Sequence, residues 1–164
     1  MKSLNPIHSR PYRPCVGLMI FNKYGFVFSG QRLDNPNDSW QLPQGGIDEG
    51  ENPIQAAFRE LEEETSITSA DFVAEYPDWI KYDVPKNLAN NLWDGKYRGQ
   101  TQKWLLFHFL GNDNEININT KAPEFKNWSW MEPNELSKKA IYFKKQVYEE
   151  INKIFIPVIK NFIN

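Results

Sequence analysis

The sequence predicts an α/β fold, a mixed sheet with helices packed on it, from three observations. Short apolar strand patterns open the chain, a capped helical pattern follows them, and further strands precede a terminal helical pattern. A chain of 164 residues is long enough for one domain with a real core and too short for two ordinary ones, so 1–164 is read as a single domain.

The elements follow in order. Cys15-Val16-Gly17-Leu18-Met19-Ile20-Phe21 and Phe26-Val27-Phe28 read as strands, with turn chemistry in Asn22-Lys23-Tyr24-Gly25 between them, so a hairpin is predicted. Residues 34–38 form a polar loop around Pro36, and Trp40-Gln41-Leu42 alternates like a short strand entering the turn at Gly45-Gly46. A helix starts at Asn52: it is a good N-cap, Pro53 fits the first helical position, and Gln55 completes a capping box. Ile54, Ala57, Phe58 and Leu61 make its apolar stripe, which leaves the carboxylate face looking outward. Trp79–Tyr82 and Gln102–Leu110 read as later strands, and Pro85 ends the first of them. Residues 86–101 are polar and read as a surface loop; Trp128–Met131 is another strand. From Asn134 the pattern is helical, with Phe143, Val147, Ile151 and Ile154 at helical spacing and Pro157 expected to kink or end the helix.

Composition excludes several classes. Net charge is −2, so no global positive field draws in nucleic acid, DNA included, and polyanion binding must rest on a local patch. Cys15 is the sole cysteine, which rules out an internal disulfide or a cysteine metal cage and suits a reducing compartment. Its apolar neighbours make it a buried structural thiol. The apolar runs are too short for a membrane span, and Met1 to Pro14 carries no apolar signal core, so a soluble, cytoplasmic protein is expected, as a monomer. His8 and His108 share no ligand spacing, and no Ser-His-Asp signature is present.

The most informative segment is Gly45-Gly46-Ile47-Asp48-Glu49-Gly50-Glu51, running into Arg59-Glu60-Leu61-Glu62-Glu63-Glu64-Thr65-Ser66-Ile67. Glu60, Glu63 and Glu64 lie at i, i+3 and i+4, so their side chains share a helix face. Like charges at that spacing cost about 0.2–0.5 kcal/mol per pair, which a bound cation offsets. An oxygen-only donor set suits a hard ion, Mg²⁺ first and Mn²⁺ second. The ordinary alternative for the helix alone is a solvated acidic face; the glycine turn and Glu51 at fixed distances weigh against it.

Gly45, Glu51, Arg59, Glu60, Leu61, Glu63, Glu64 and Ile67 resemble the signature of the Nudix hydrolases, with Ser66 where that signature has glycine. Tyr12-Arg13-Pro14, Trp40 to Ile47, Gly99 to Trp104, Pro123-Glu124-Phe125 and Trp128-Ser129-Trp130 are similar to one branch of the family. That branch holds bacterial RNA pyrophosphohydrolases and asymmetric diadenosine tetraphosphate hydrolases. The resemblance implies an α/β/α sandwich and hydrolysis of phosphoanhydrides assisted by Mg²⁺. It places Glu60, Glu63 and Glu64 as metal-binding and catalytic glutamates, with Gly45 and Glu124 also near the metal. Glu51 and Arg59 take supporting roles through ion pairs. Arg32, Ser39, Lys103 and Lys144 fall at positions near phosphates, and Phe143 at a position that stacks on a base. Taken without the resemblance, Arg32 and the lysines are surface charges and Phe143 is core.

Two substrates fit this reading: 5′-triphosphorylated RNA, from which pyrophosphate would leave to give a 5′-monophosphate, and a dinucleoside polyphosphate. A third reading, a Nudix-like RNA- or nucleotide-binding module without catalysis, has only Ser66 in its favour, because all the signature glutamates are present.

Overall fold

The structure is a computed structural model and describes residues 4–34 and 37–164. The expected loop around Pro36 therefore lies partly outside the described residues.

The centre of the fold is β1 (Tyr12–Phe21), flanked on one side by β2 (Val27–Arg32) and on the other by β6 (Gly99–Phe109). The β1–β6 ladder is parallel and unbroken from Tyr12↔Gly99 to Phe21↔His108. β2 returns antiparallel through the predicted hairpin, whose turn is closed by Asn22 Oδ1 accepting from the Tyr24 and Phe26 amides. β7 (Phe125–Met131) and β4 (Ala70–Glu75) complete the order β4-β6-β1-β2-β7. β3 (Gln44–Gly46) pairs with β1, and β5 (Ile80–Asp83) with β6.

Both faces of β1 are covered, so its apolar residues run continuously instead of alternating. Val16, Leu18 and Ile20 pack with Leu105, Phe107 and residues of α1 (Pro53–Thr65). Met19 and Phe21 pack with Trp104 and Leu106 against α4 (Tyr142–Ile163). The result is helix, sheet, helix: the expected α/β/α sandwich.

The details depart from the sequence reading in several places. The short strand near the glycine turn is Gln44–Gly46, and Gln41 makes only an isolated bridge to Gly30, because Pro43 has no amide to carry a ladder through. Residues 70–75 form an unexpected edge strand; it is half-exposed and bulged between Phe72 and Ala74, so its alternation is blurred. Within 86–101 lie a short helix α2 (Lys86–Asn91) and a 3₁₀ turn at Trp93–Gly95, pinned by buried Ala89 and Gly95, and the segment ends inside β6. The C-terminal pattern divides into α3 (Pro133–Lys139) and α4.

Pro157 sits inside α4 without ending it. The helix loses one hydrogen bond there, but Phe155 and Ile159, on either side, are buried against the sheet and hold it in line. The buried stripe is Val147, Tyr148, Ile151, Phe155 and Ile159, while Ile154 is exposed. On α1, Ala57 and Leu61 are core, whereas Ile54 and Phe58 sit at the rim, Phe58 edge-on to Phe107 at 5.0 Å. Cys15 is fully buried, and burial pushes its thiol up to about 11. His108 packs between Phe21 and Phe162.

Gly17 lies directly against the Trp104 indole, and a Cβ there would collide with it. Gly17→Ala is expected to destabilise the fold by about 1–3 kcal/mol, measured by urea unfolding.

Candidate active site

The site begins with a well-set helix. Asn52 Oδ1 accepts from the Gln55 amide at 2.9 Å and Gln55 Oε1 from the Asn52 amide at 3.0 Å, the reciprocal box expected at this start. Just ahead of it, Glu51 accepts from the Asp48 amide at 2.8 Å and closes the turn after the glycines.

Arg59 ties turn and helix together. Its guanidinium grips Glu51 with two bonds, Nε to Oε2 at 2.7 Å and Nη2 to Oε1 at 2.8 Å. It also donates to Glu60 at 2.9 Å, to Glu63 at 3.1 Å and to the Gly46 carbonyl at 2.9 Å. The Arg59 bond, with the Asp48 amide behind it, holds the Glu51 carboxyl down at about 2.

The carboxylates do not share one environment, as an outward-looking face would have given them. Glu63 is exposed, the Glu60 side chain is only 13% exposed, and Glu64 is buried. Burial raises the Glu60 pKa, with Arg59 opposing it. Glu64 is raised well above the usual carboxylate range, first by burial and then by the charges of Glu60 and Glu124. With Glu124 they line one open cleft of about 860 Å³, which Ser66 and Thr120 also border.

Two observations test whether this cleft suits a hard divalent ion. Glu64 Oε2 is buried and without a hydrogen-bond partner. Gly45 leaves bare the space against the Glu60 carboxylate, which a Cβ would fill. Both fit an oxygen-liganded cation. Among the described residues no three acidic, histidine or cysteine side chains already stand as a cage, so the fit is one of donor chemistry and access.

The remaining expected residues divide. Arg32 pairs with Asp34 through two bonds, at 2.9 and 3.2 Å, and its charge and that of Lys144 are felt at Glu64. Lys144 is not a surface charge: it is buried, its Nζ donates to Gln41 Oε1 at 3.1 Å, and burial pushes it down to about 7, with Arg32 adding repulsion. Lys103 is also buried; its ammonium is held by the Tyr76 and Pro77 carbonyls at 2.8 and 3.1 Å, at the start of the β4–β5 connection and away from the glutamate cleft. Ser39 borders a separate recess with Trp40 and Lys139. Phe143 is half-buried and lies nearly parallel to Tyr82, 6.1 Å between centroids.

Other polar residues of the branch-like segments, for which the sequence suggested no role, gather around Gln44 and Gly46. Gln102 donates to Gln100 at 2.7 Å and to Gln44 at 3.1 Å, and accepts from the Trp104 indole at 2.9 Å. Arg13 lies over Gly46, with Nη1 3.5 Å from the Cys15 sulfur. Two glutamines and a lysine inside an otherwise apolar strand were the available signal.

Ser66 takes the left-handed conformation, φ 66° and ψ 8°, as the helix C-cap. Its amide donates to Glu62 at 2.9 Å and its hydroxyl to the Asn117 carbonyl at 2.8 Å. The hydroxyl bond accounts for a serine where glycine would be relaxed.

An α/β/α sandwich that presents clustered glutamates beside a glycine turn defines a hydrolase of phosphoanhydrides. The NUDIX domain profile matches residues 11–151, and the chain belongs to the Nudix family. It is 49% identical over 158 residues to an RNA pyrophosphohydrolase of Cereibacter sphaeroides, covering 95% of this chain and 97% of that one. An RNA pyrophosphohydrolase of Wolbachia pipientis is 48% identical over 155 residues, covering 94% and 95%. Among solved structures, the Escherichia coli dihydroneopterin triphosphate pyrophosphohydrolase superposes with a TM-score of 0.68 at 19% identity, over 90% of this chain and 99% of that one. A Caenorhabditis elegans Ap4A hydrolase gives 0.63 at 24%, over 88% and 98%. These two likenesses speak for the fold.

The depressed Glu51 carboxyl stabilises the fold fully above its ordinary value of 4.5 and loses that contribution as pH falls toward about 2. Glu51→Gln should therefore be less stable than the native chain at pH 7, with the gap closing between about pH 5 and 2 in urea titrations. For Ser66→Gly, relief of strain and loss of the Asn117 bond oppose each other, each worth about 1 kcal/mol, so thermal unfolding should shift little.

Proposed function

We propose that the chain is a divalent-metal-dependent RNA pyrophosphohydrolase, which removes pyrophosphate from the 5′-triphosphate end of RNA to leave a 5′-monophosphate. The observation that carries this reading is the likeness, at close to half identity over nearly the whole length, to proteins of that activity, together with the glutamate cleft they would need. Mg²⁺ is the preferred ion and Mn²⁺ the second.

Glu60 and Glu64 would hold the ion, with Glu63, Glu124 and the bare backbone of Gly45 around it. Once bound, such an ion neutralises phosphate oxygens and makes attacking water more acidic. The protein's own part is positioning and charge. Arg59 fixes Glu60 and Glu63 while Glu51 fixes Arg59, so the carboxylates are in place before substrate arrives. Glu64 has no such partner and is free to turn its second oxygen to a ligand. Arg32 and Lys144 supply positive charge that reaches Glu64, and the polyphosphate would lie between them and the bound ion. Lys144, poised near neutrality, becomes fully charged when phosphates approach.

Glu60→Gln, Glu63→Gln and Glu64→Gln should each lower turnover on the order of 10²-fold or more, while circular dichroism stays native. Glu64→Gln should also raise stability of the metal-free protein, since it removes a buried carboxyl that has one unpartnered oxygen and lies against the charges of Glu60 and Glu124. Full activity in both Glu63→Gln and Glu64→Gln would sink the metal assignment. Product analysis on triphosphorylated RNA beside diadenosine tetraphosphate, each with Mg²⁺, tests the substrate: pyrophosphate and 5′-monophosphate RNA are expected to form faster, and the reverse order would make dinucleoside polyphosphates the substrate.

A further inference from the structure

Beside the glutamate cleft, residues 81–98 build a shelf of cations and aromatic rings. In a chain of net charge −2, this stretch holds Lys81, Lys86, Lys96 and Arg98 against only Asp83 and Asp94. Asp83 is already engaged, by Arg98 at 2.6 Å and the Tyr12 hydroxyl at 3.2 Å. Arg98 and Lys81 lie over the Tyr12 ring at 4.9 and 5.4 Å. Lys86 and Lys96 are exposed, and among the described residues neither is in an ion pair. The Val84 amide donates to the Arg98 carbonyl at 3.1 Å, which brings the two ends of the segment together two residues from each lysine.

The shelf also stores strain. Trp93, Asp94 and Gly95 are three successive left-handed residues, at φ 52°, 56° and 70°. For a bulky tryptophan that conformation costs about 1–3 kcal/mol, a pattern that gathers at functional sites. What the strained turn achieves is an indole held 5.8 Å from the Arg13 guanidinium and edge-on to Tyr97 at 5.9 Å. Arg13 in turn covers Gly46, next to the glycine that faces Glu60. Rings and cations thus extend from the carboxylate site into the segment that carries the exposed lysines.

We propose that this shelf, from Arg13 and Trp93 out to Lys86 and Lys96, is the track for the single-stranded RNA that follows the 5′ end. The inference rests on the RNA reading above. Aromatic faces accept successive bases whatever their sequence, and cations beside them neutralise the linking phosphates. A nucleoside triphosphate brings no phosphates beyond its own, so a second set of cations outside the cleft matches a longer polyanion.

The test is direct binding of a single-stranded 12-nucleotide RNA bearing a 5′-monophosphate, read by fluorescence anisotropy across a salt series. Lys86→Gln with Lys96→Gln should weaken binding about tenfold and flatten the slope of log affinity against log salt by about 1.4, from roughly 0.7 per contact. Trp93→Gly, which keeps a residue suited to positive φ, should weaken it about tenfold without changing the slope. Lys23→Gln with Lys160→Gln removes the same charge at the opposite end of the sheet and should bind as the native chain does. Unchanged affinity in the Lys86/Lys96 variant overturns the proposal, and so does an equal loss in the Lys23/Lys160 control, which would leave only a global charge effect. Turnover of the matching triphosphorylated RNA is measured in parallel. Failure to release pyrophosphate sinks the substrate reading, whereas the binding comparison judges the track by itself.

Discussion

The arrangement depends on one guanidinium. Among the described residues, Arg59 alone touches the glycine turn, Glu51 and two of the helix glutamates at once. Without it, Glu60 and Glu63 would carry their mutual repulsion and partial burial with no internal compensation. A planar fork of five donors can serve these acceptors together; an ammonium on a flexible stem could not hold their directions. The same residue leaves Glu64 alone, and that selectivity produces the contrast in the cleft: two carboxylates restrained and one buried with an oxygen left unpartnered.

The second constraint is the bareness of β3. Neighbouring residues of a strand face opposite sides of a sheet, so Gly45 opens toward Glu60 and Gly46 toward Arg13. The Glu60 carboxylate and the Arg13 guanidinium therefore approach the same short strand from opposite sides, with only backbone between them. A polyphosphate can meet both kinds of charge across this edge because no side chain stands in the way. Any substitution at either glycine fills space already taken by a charged group.

Much of this was legible in the residues because it is local. The capping box at Asn52 and Gln55, the hairpin at Asn22 and the carboxylate spacing on α1 are set by near neighbours in the chain, and each is found where expected. What escaped is set by distant contacts. Lys144 reads as a surface lysine on a helix, yet the N-terminus of α4 is pressed toward Gln41, more than a hundred residues earlier, and the ammonium is enclosed. Lys103 is captured by the carbonyls that end β4, a strand too frayed in pattern to be seen. Pro157 reads as a stop because its effect on the helix backbone is local and unfavourable; the core contacts on both sides that outweigh it are not. The left-handed turn at Trp93 carries no glycine at its first two positions and so gives no signal at all.

The parallel ladder between β1 and β6 has a consequence in time. Tyr12 finds its partner only when Gly99 has been made, and Phe21 only with His108. At synthesis rates of about 5–20 residues per second, the buried apolar strand β1 emerges several seconds before its main neighbour exists. Until then it has only the β2 hairpin and the three residues of β3, and pairing at such a separation is slow once the chain is complete. The central strand is thus the segment most in need of shelter on the ribosome, and Arg13 and Pro14 at its entrance are what it offers against premature pairing with another chain.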